Sequence, residues 1–195
     1  MRSQLEVSCD DFLVGFIGRF SPCKGVLAMP QIATLISKLA PNSAMRYLIV
    51  GSGKEEHELL AALRDCSPPI PLSLCAETSD IRAHLAAIDA LVVPSYTEGC
   101  PYIILEALAM GTPVIASAVG GVSEIIQHGI TGYLFDRYRL EGAAEMLVNL
   151  RNDPQSYSAM SVAAVKHAER HFDLRLECAR TLELYSRSTG EYGQW

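Results

Sequence analysis

The sequence predicts an α/β fold: a doubly wound parallel sheet of about six strands, helices on both faces, and a helical C-terminal end. Three observations predict it. The apolar runs FLVGFIG (12–18), YLIV (47–50) and ALVV (90–93) show no polar alternation, so both faces of each strand are buried. Segments of helical periodicity separate these runs. The runs end in loops that gather glycine and charge, such as RFSPCKG and GSG.

Residues 1–11 read as a polar lead-in, and Phe12 to Gly18 as the first strand. After the loop Arg19–Gly25, a helix runs from about Val26 to Leu39. Its apolar face is Val26, Leu27, Ile32, Leu35, Ile36 and Leu39, and Pro30 displaces its start or kinks it. Tyr47–Val50 is the second strand, closed by Gly51–Ser52–Gly53, and a charged helix follows from Lys54 to about Arg64. A proline-rich loop leads to a strand at Leu72–Cys75. A short helix then spans Asp80 to Ala87 with Ser79 as its cap. Ala90–Val93 and Pro113–Ala116 are the fourth and fifth strands, Ser123–Gln127 a helical turn, and Gly132–Phe135 a last strand. Leu140 to Arg187 reads as helix, and 188–195 as a frayed tail.

Between the fourth and fifth strands lies the most informative stretch, Pro94 to Ser117. Pro101 suits the first position of a helix. From Tyr102 to Met110 that helix is apolar on every face and therefore expected to be buried, with Glu106 its only charge. A buried carboxylate without a partner is costly. Glu106 therefore opens onto a cleft, meets a polar ligand, or reaches a surface edge.

The length of 195 residues fits one domain, 1–195, and the 49% hydrophobic and 19% charged content marks a globular chain. A formal net charge of -6 argues against nucleic acid as a partner and gives no support to an anionic membrane surface. The N-terminus lacks the apolar core of a signal peptide, and no run has the length of a membrane span. The six cysteines are scattered without a Cys-x-x-Cys pair, the pattern of reduced thiols in a cytoplasmic protein. No zinc or other metal site is expected.

Ligands of such sheets bind beyond the carboxyl ends of the strands. Five loops gather there: Arg19–Lys24, Gly51–Gly53, Cys75–Ser79, Ser95–Pro101 and Ala118–Gly121. Arg19 and Lys24 after the first strand, facing helix N-termini, suit a phosphate or diphosphate. Taken alone they read equally well as a solvated surface pair. Gly120–Gly121 lets another backbone approach closely. Other patterns fail on their own terms. Gly51–Ser52–Gly53 has Glu56 where a dinucleotide fingerprint needs its third glycine. Ser21-x-x-Lys24 lacks the companion motifs of a serine hydrolase. His167 and His171 lack a third ligand and read as surface residues.

Read in order, GRFSPCKG, YLIVGSG, IDALVVPSYTEG, the Glu98–seven residues–Glu106 signature, EALAMGTPVIAS, GGVSEII and GITGYLF resemble the C-terminal, donor-binding domain of retaining GT-B glycosyltransferases, most closely family 4. The resemblance spans roughly Val14 to Asp136 and implies a Rossmann-like half of a GT-B fold. It implies that Arg19 and Lys24 hold the donor diphosphate and that Glu98 faces the transferred sugar. Glu106 would bind the ribose, and the loop at Cys75, Ala76 and Glu77 would edge the base. Gly99, Cys100, Pro101 and Tyr102 would touch sugar and phosphates through their backbone, with Gly18, Gly51 and Gly53 completing the donor site. Many relatives carry Gly-Phe-Gly after the first glutamate, where this chain has Gly99–Cys100–Pro101–Tyr102.

The implied ligand is a UDP-, GDP- or ADP-sugar, with no cofactor or metal. The implied reaction moves a hexose to a glycan, lipid or small acceptor. The family's N-terminal acceptor domain is expected to be missing, which leaves half an enzyme, inactive alone. That missing half, or a partner subunit, would complete the cleft and carry any membrane association. Two other readings share the architecture: a non-catalytic nucleotide-sugar-binding module or subunit of a split transferase, and a GT-B sugar-nucleotide epimerase.

Overall fold

A computed structural model describes residues 1–191. Six strands form one parallel sheet: β1 (Phe12–Ile17), β2 (Met45–Val50), β3 (Leu72–Cys75), β4 (Ala90–Val93), β5 (Val114–Ser117) and β6 (Gly132–Phe135). Their order is β3-β2-β1-β4-β5-β6. The chain winds outward from β1 in one direction, then returns to β4 and winds outward in the other. A crevice forms at this reversal, between the carboxyl ends of β1 and β4.

Successive side chains of a strand point to opposite faces, and each face has its own core. Val14, Phe16, Ile49 and Val92 join α1 (Ala28–Leu39), α2 (Glu56–Arg64) and α6 (Leu140–Asn152) on one side. Leu13, Leu48, Leu91 and Val93 join α3 (Ile81–Leu85), α4 (Tyr102–Ala109), α5 (Val122–Ile125) and α7 (Pro154–His171) on the other. The non-alternating strands thus follow from burial on both faces. Pro30 falls in the first turn of α1, where a missing N–H breaks no helical hydrogen bond.

Several expectations need correction. The helix α4 is not buried all round. Its stripe Ile104, Ala107 and Leu108 is fully buried, whereas Tyr102 is 75% and Met110 41% exposed, and Glu106 is exposed. One side of α4 lies on β4 and β5 and another on α7, and the remaining side stays open. Pro101 is the N-cap, one position before the helix. The N-cap of α3 is Asp80, not Ser79, and no side chain caps it. Thr78 Oγ1 instead accepts the Asp80 N–H at 3.1 Å, a local turn that competes with capping. His167 is half-buried, with Nε2 3.0 Å from the Ile125 carbonyl. Helix α8 (Leu174–Glu191) extends into the segment expected to fray, and 192–195 lie outside the described residues.

The lead-in is also more than a polar leader. Residues Arg2–Leu5 form a 3-10 turn, and Val7 is buried. The Arg2 guanidinium donates to Asp89 Oδ2 and the Ala87 carbonyl, both at 2.9 Å, and to the carbonyls of Ser8 (3.0 Å) and Asp11 (2.6 Å). Asp89 Oδ2 also accepts the Leu13 N–H at 2.6 Å, which ties this corner to the start of β1. Arg2→Ala is expected to cost about 1–3 kcal/mol, because charge-assisted bonds at a partly exposed site are lost. Urea denaturation measures that loss, and hydrogen exchange should show residues 1–11 deprotected while β1 keeps its protection.

Candidate functional site

The loop after β1 is fixed by Phe20, 1% exposed in the core. The Phe20 N–H donates to the Ser52 carbonyl at 2.7 Å, and Gly18 N–H donates to Val50 at 3.0 Å. With Phe20 held inward, Arg19 is exposed over the crevice, and it has no ion-pair partner among the described residues. A short 3-10 turn, Pro22–Lys24, then carries Lys24 back across the edge and ends at Gly25 with φ +66°. A Cβ on Gly25 would stand 2.2 Å from the Pro94 carbonyl oxygen. The loops after β1 and β4 are therefore in backbone contact, and the Tyr96 N–H donates to the Cys23 carbonyl at 2.7 Å.

That contact brings Lys24 onto Glu98. Lys24 Nζ lies 2.8 Å from Glu98 Oε1 and 2.9 Å from Oε2. Ser95 Oγ donates to Oε1 at 2.6 Å. The Glu98 side chain is only 6% exposed, so its charge depends on these partners. From the other side, Gly120–Gly121 buttress the loop. A Cβ on Gly120 would meet the Glu98 carbonyl oxygen at 1.9 Å, and the Gly121 N–H donates to that carbonyl at 3.1 Å. The backbone that this glycine pair admits is that of Glu98 and Gly99.

A cavity of about 860 Å³ opens at the β1/β4 reversal. Among its walls are Gly18, Arg19, Lys24, Gly51, Gly53, Glu77, Tyr102 and Glu106. A smaller recess of about 170 Å³ holds Glu98 and Pro101 and shares Gly18, Lys24, Tyr102 and Ile103 with the larger one. Glu106 stands one turn into α4 with no ion-pair partner among the described residues, and partial desolvation pushes its carboxyl above the usual range. The fold thus brings together ten of the residues singled out in the sequence. Cys75, Ala76, Gly99 and Cys100 do not line either space. Gly51 and Gly53 serve close packing as well: a Cβ on each would fall 2.0 Å from Gly18 O and 2.3 Å from Phe20 O.

Sequence reasoning missed Ser52, Thr78 and Ile81, which line the larger cavity, and Ser95, which holds Glu98. Ser52 Oγ donates to Glu77 Oε2 at 2.9 Å, which closes the wall near β3. Ser52 and Ser95 lie inside loops already placed at the sheet edge, and that was the available signal.

The edge can do three things chemically. Arg19 and Lys24 with the first turn of α4 form a cationic strip suited to phosphate oxygens. Glu106 offers an unpaired acceptor to vicinal hydroxyls. Glu98, fixed in place, offers a second acceptor about two turns of chain away. Lys24→Met is expected to cost about 2 kcal/mol, because it leaves a nearly buried carboxylate without its cation. Glu98→Gln in that background should cost less than it does alone, with a coupling of about 1–2 kcal/mol in urea melts. Additive losses would contradict the pairing.

The family model described as Glycosyl transferases group 1 matches residues 11–153. The D-inositol 3-phosphate glycosyltransferase of Arthrobacter sp. (strain FB24) is 31% identical over 98% of this chain and 46% of that protein. The protein of the same name from Thermobispora bispora is 31% identical over 96% of this chain and 46% of its own length. The chain spans about half the length of these curated relatives. Among solved structures, Anabaena HepE in complex with UDP superposes with a TM-score of 0.85 at 26% identity, covering 95% of this chain and 51% of that one. The C-terminal domain of a glycosyl transferase group 1 family protein from Francisella tularensis shares the fold, with a TM-score of 0.73 at 22% identity, over 84% of this chain and 87% of that one. No helix among the described residues is long and apolar enough to cross a membrane. The chain belongs to the group 1 glycosyltransferases, and its sheet is one Rossmann-like half of the GT-B architecture.

Proposed function

We propose that the carboxyl edge of the sheet binds a nucleoside diphosphate sugar, and that the chain is the donor-binding half of a retaining family 4 hexosyltransferase. One observation carries this reading: a cavity walled by Arg19, Lys24 and Glu106 adjoins the recess that holds Glu98, at the reversal of the sheet. Arg19 and the remaining proton of Lys24 take the diphosphate. Glu106, without an ion-pair partner among the described residues, takes the ribose hydroxyls. Glu98 accepts from a hydroxyl of the sugar.

As the bond from the anomeric carbon to the diphosphate oxygen breaks, negative charge grows on that oxygen. Fixed cations and the N-terminus of α4 stabilise it without reorganising. With two cations beside the diphosphate, no metal ion is required. Both oxygens of Glu98 are engaged by Lys24, which makes Glu98 a poor nucleophile and a good acceptor. With no protein nucleophile, retention requires the acceptor hydroxyl to bond to the anomeric carbon on the face that the diphosphate leaves, its proton passing to the departing diphosphate oxygen.

The related HepE structures contain UDP and UDP-glucose, which makes uracil the first base to try here. The curated relatives extend about as far again as this chain. We assign acceptor binding, closure over the donor and any membrane attachment to a further domain or partner subunit, with the donor drawn from the cytoplasm. The chain alone is then expected to bind nucleotide and turn nothing over.

Calorimetry on the 195-residue chain with UDP, GDP, ADP and their hexose forms tests the proposal. One base should bind preferentially, and Glu106→Ala should weaken it by about tenfold or more, the loss expected for hydrogen bonds to a charged acceptor. No binding of any nucleotide would overturn the reading, as would a Glu106→Ala variant indistinguishable from wild type.

A further inference from the structure

Glu98 is held by more than Lys24. Ser95, just beyond β4, is 1% exposed, and its hydroxyl donates to Glu98 Oε1 at 2.6 Å. Its own carbonyl accepts from Ser117 Oγ at 2.5 Å. Ser117 is the last residue of β5 and is fully buried. Its hydroxyl also lies 3.3 Å from the Val93 carbonyl, but it has one proton, and the shorter contact to Ser95 takes it. The ends of two neighbouring strands thus hold Glu98 in two steps: Ser117 fixes the Ser95 backbone through its carbonyl, and the Ser95 hydroxyl binds Glu98.

The Ser95 hydroxyl distinguishes the two oxygens of Glu98. A carboxylate has about four acceptor positions, two on each oxygen. Oε1 accepts from both Ser95 and Lys24, so its capacity is filled. Oε2 accepts from Lys24 alone, which leaves one position. A buried hydroxyl whose proton is committed to Oε1 prevents the carboxylate from turning, because rotation would leave that hydroxyl unsatisfied.

We propose that Ser95 is a positioning residue for sugar recognition: it locks Glu98 so that Oε2 alone accepts from a single sugar hydroxyl, with Ser117 supporting Ser95 from β5. The proposal rests on the donor-binding reading given above. Ser95 borders the recess that holds Glu98 but is only 1% exposed, so it acts on the sugar through Glu98. Its effect is confined to the increment in affinity that the sugar adds to the nucleoside diphosphate.

The test measures, by calorimetry on the 195-residue chain, the affinities of the preferred nucleoside diphosphate and of its hexose form. The ratio of the two is the sugar increment. Ser95→Ala is expected to reduce this increment about three- to tenfold and to leave nucleoside diphosphate affinity within about twofold, the range for one hydrogen bond acting through a charged partner. Ser95→Thr, which keeps the hydroxyl, should restore most of it. In a Glu98→Gln background, Ser95→Ala should add nothing further.

Four results would overturn the proposal: an unchanged increment in Ser95→Ala, an equal loss of both affinities, additivity with Glu98→Gln, or no sugar increment in a wild-type chain that binds the nucleoside diphosphate. Binding of the nucleoside diphosphate separates this failure from failure of the donor reading. A wild-type chain that binds no nucleotide would overturn both.

Discussion

The carboxyl edge of this protein depends on one ion pair, Lys24 with Glu98, formed between residues 74 apart in sequence. Each partner sits on a loop that leaves a different strand of the central β1/β4 pair. A carboxylate 6% exposed does not remain charged cheaply, and Lys24 and Ser95 together supply its partners. The pair therefore sets where the two loops lie relative to each other, and so sets the width of the crevice between them. Arg19 and Glu106 flank the pair without joining it, and both remain available to a ligand.

The pair forms only because backbones pass close to one another. Gly25 rests on Pro94, and Gly120 and Gly121 rest on Glu98 and Gly99. A side chain at any of these three positions would push the β1, β4 and β5 loops apart. Glycine in this edge is thus as much a matter of loop-to-loop contact as of ligand approach. The same holds at Gly51 and Gly53, which pack on Gly18 and Phe20 while also facing the cavity.

Much of this was legible in the sequence. Burial on both faces writes itself into strands as unbroken apolar runs, and all six strands appeared at or within about two residues of their ends. The edge rule then gathered the right loops. What sequence did not show is which loop residue meets which. Lys24 and Glu98 were each assigned to a ligand, and their contact with each other depends on the β1–β4 pairing. Cys75, Ala76, Gly99 and Cys100 lie on the right loops but outside the cavity walls, because proximity in sequence does not fix which way a turn faces. The all-round apolar character of α4 overstated its burial: two sides have neighbours, and the third borders the crevice. The anchoring of the N-terminal lead-in was not legible, because the worth of Arg2 lies in partners as distant as Asp89.

The account assigns separate tasks to groups on one edge: cations for a diphosphate, Glu106 for a ribose, and a locked Glu98 for a sugar. The most direct measurement is a crystal structure of the 195-residue chain with the nucleoside diphosphate it prefers. The account predicts the diphosphate between Arg19 and Lys24, the ribose hydroxyls on Glu106, and Lys24 still in contact with Glu98. A nucleotide seated elsewhere, or one that reaches Lys24 only by separating it from Glu98, would contradict it.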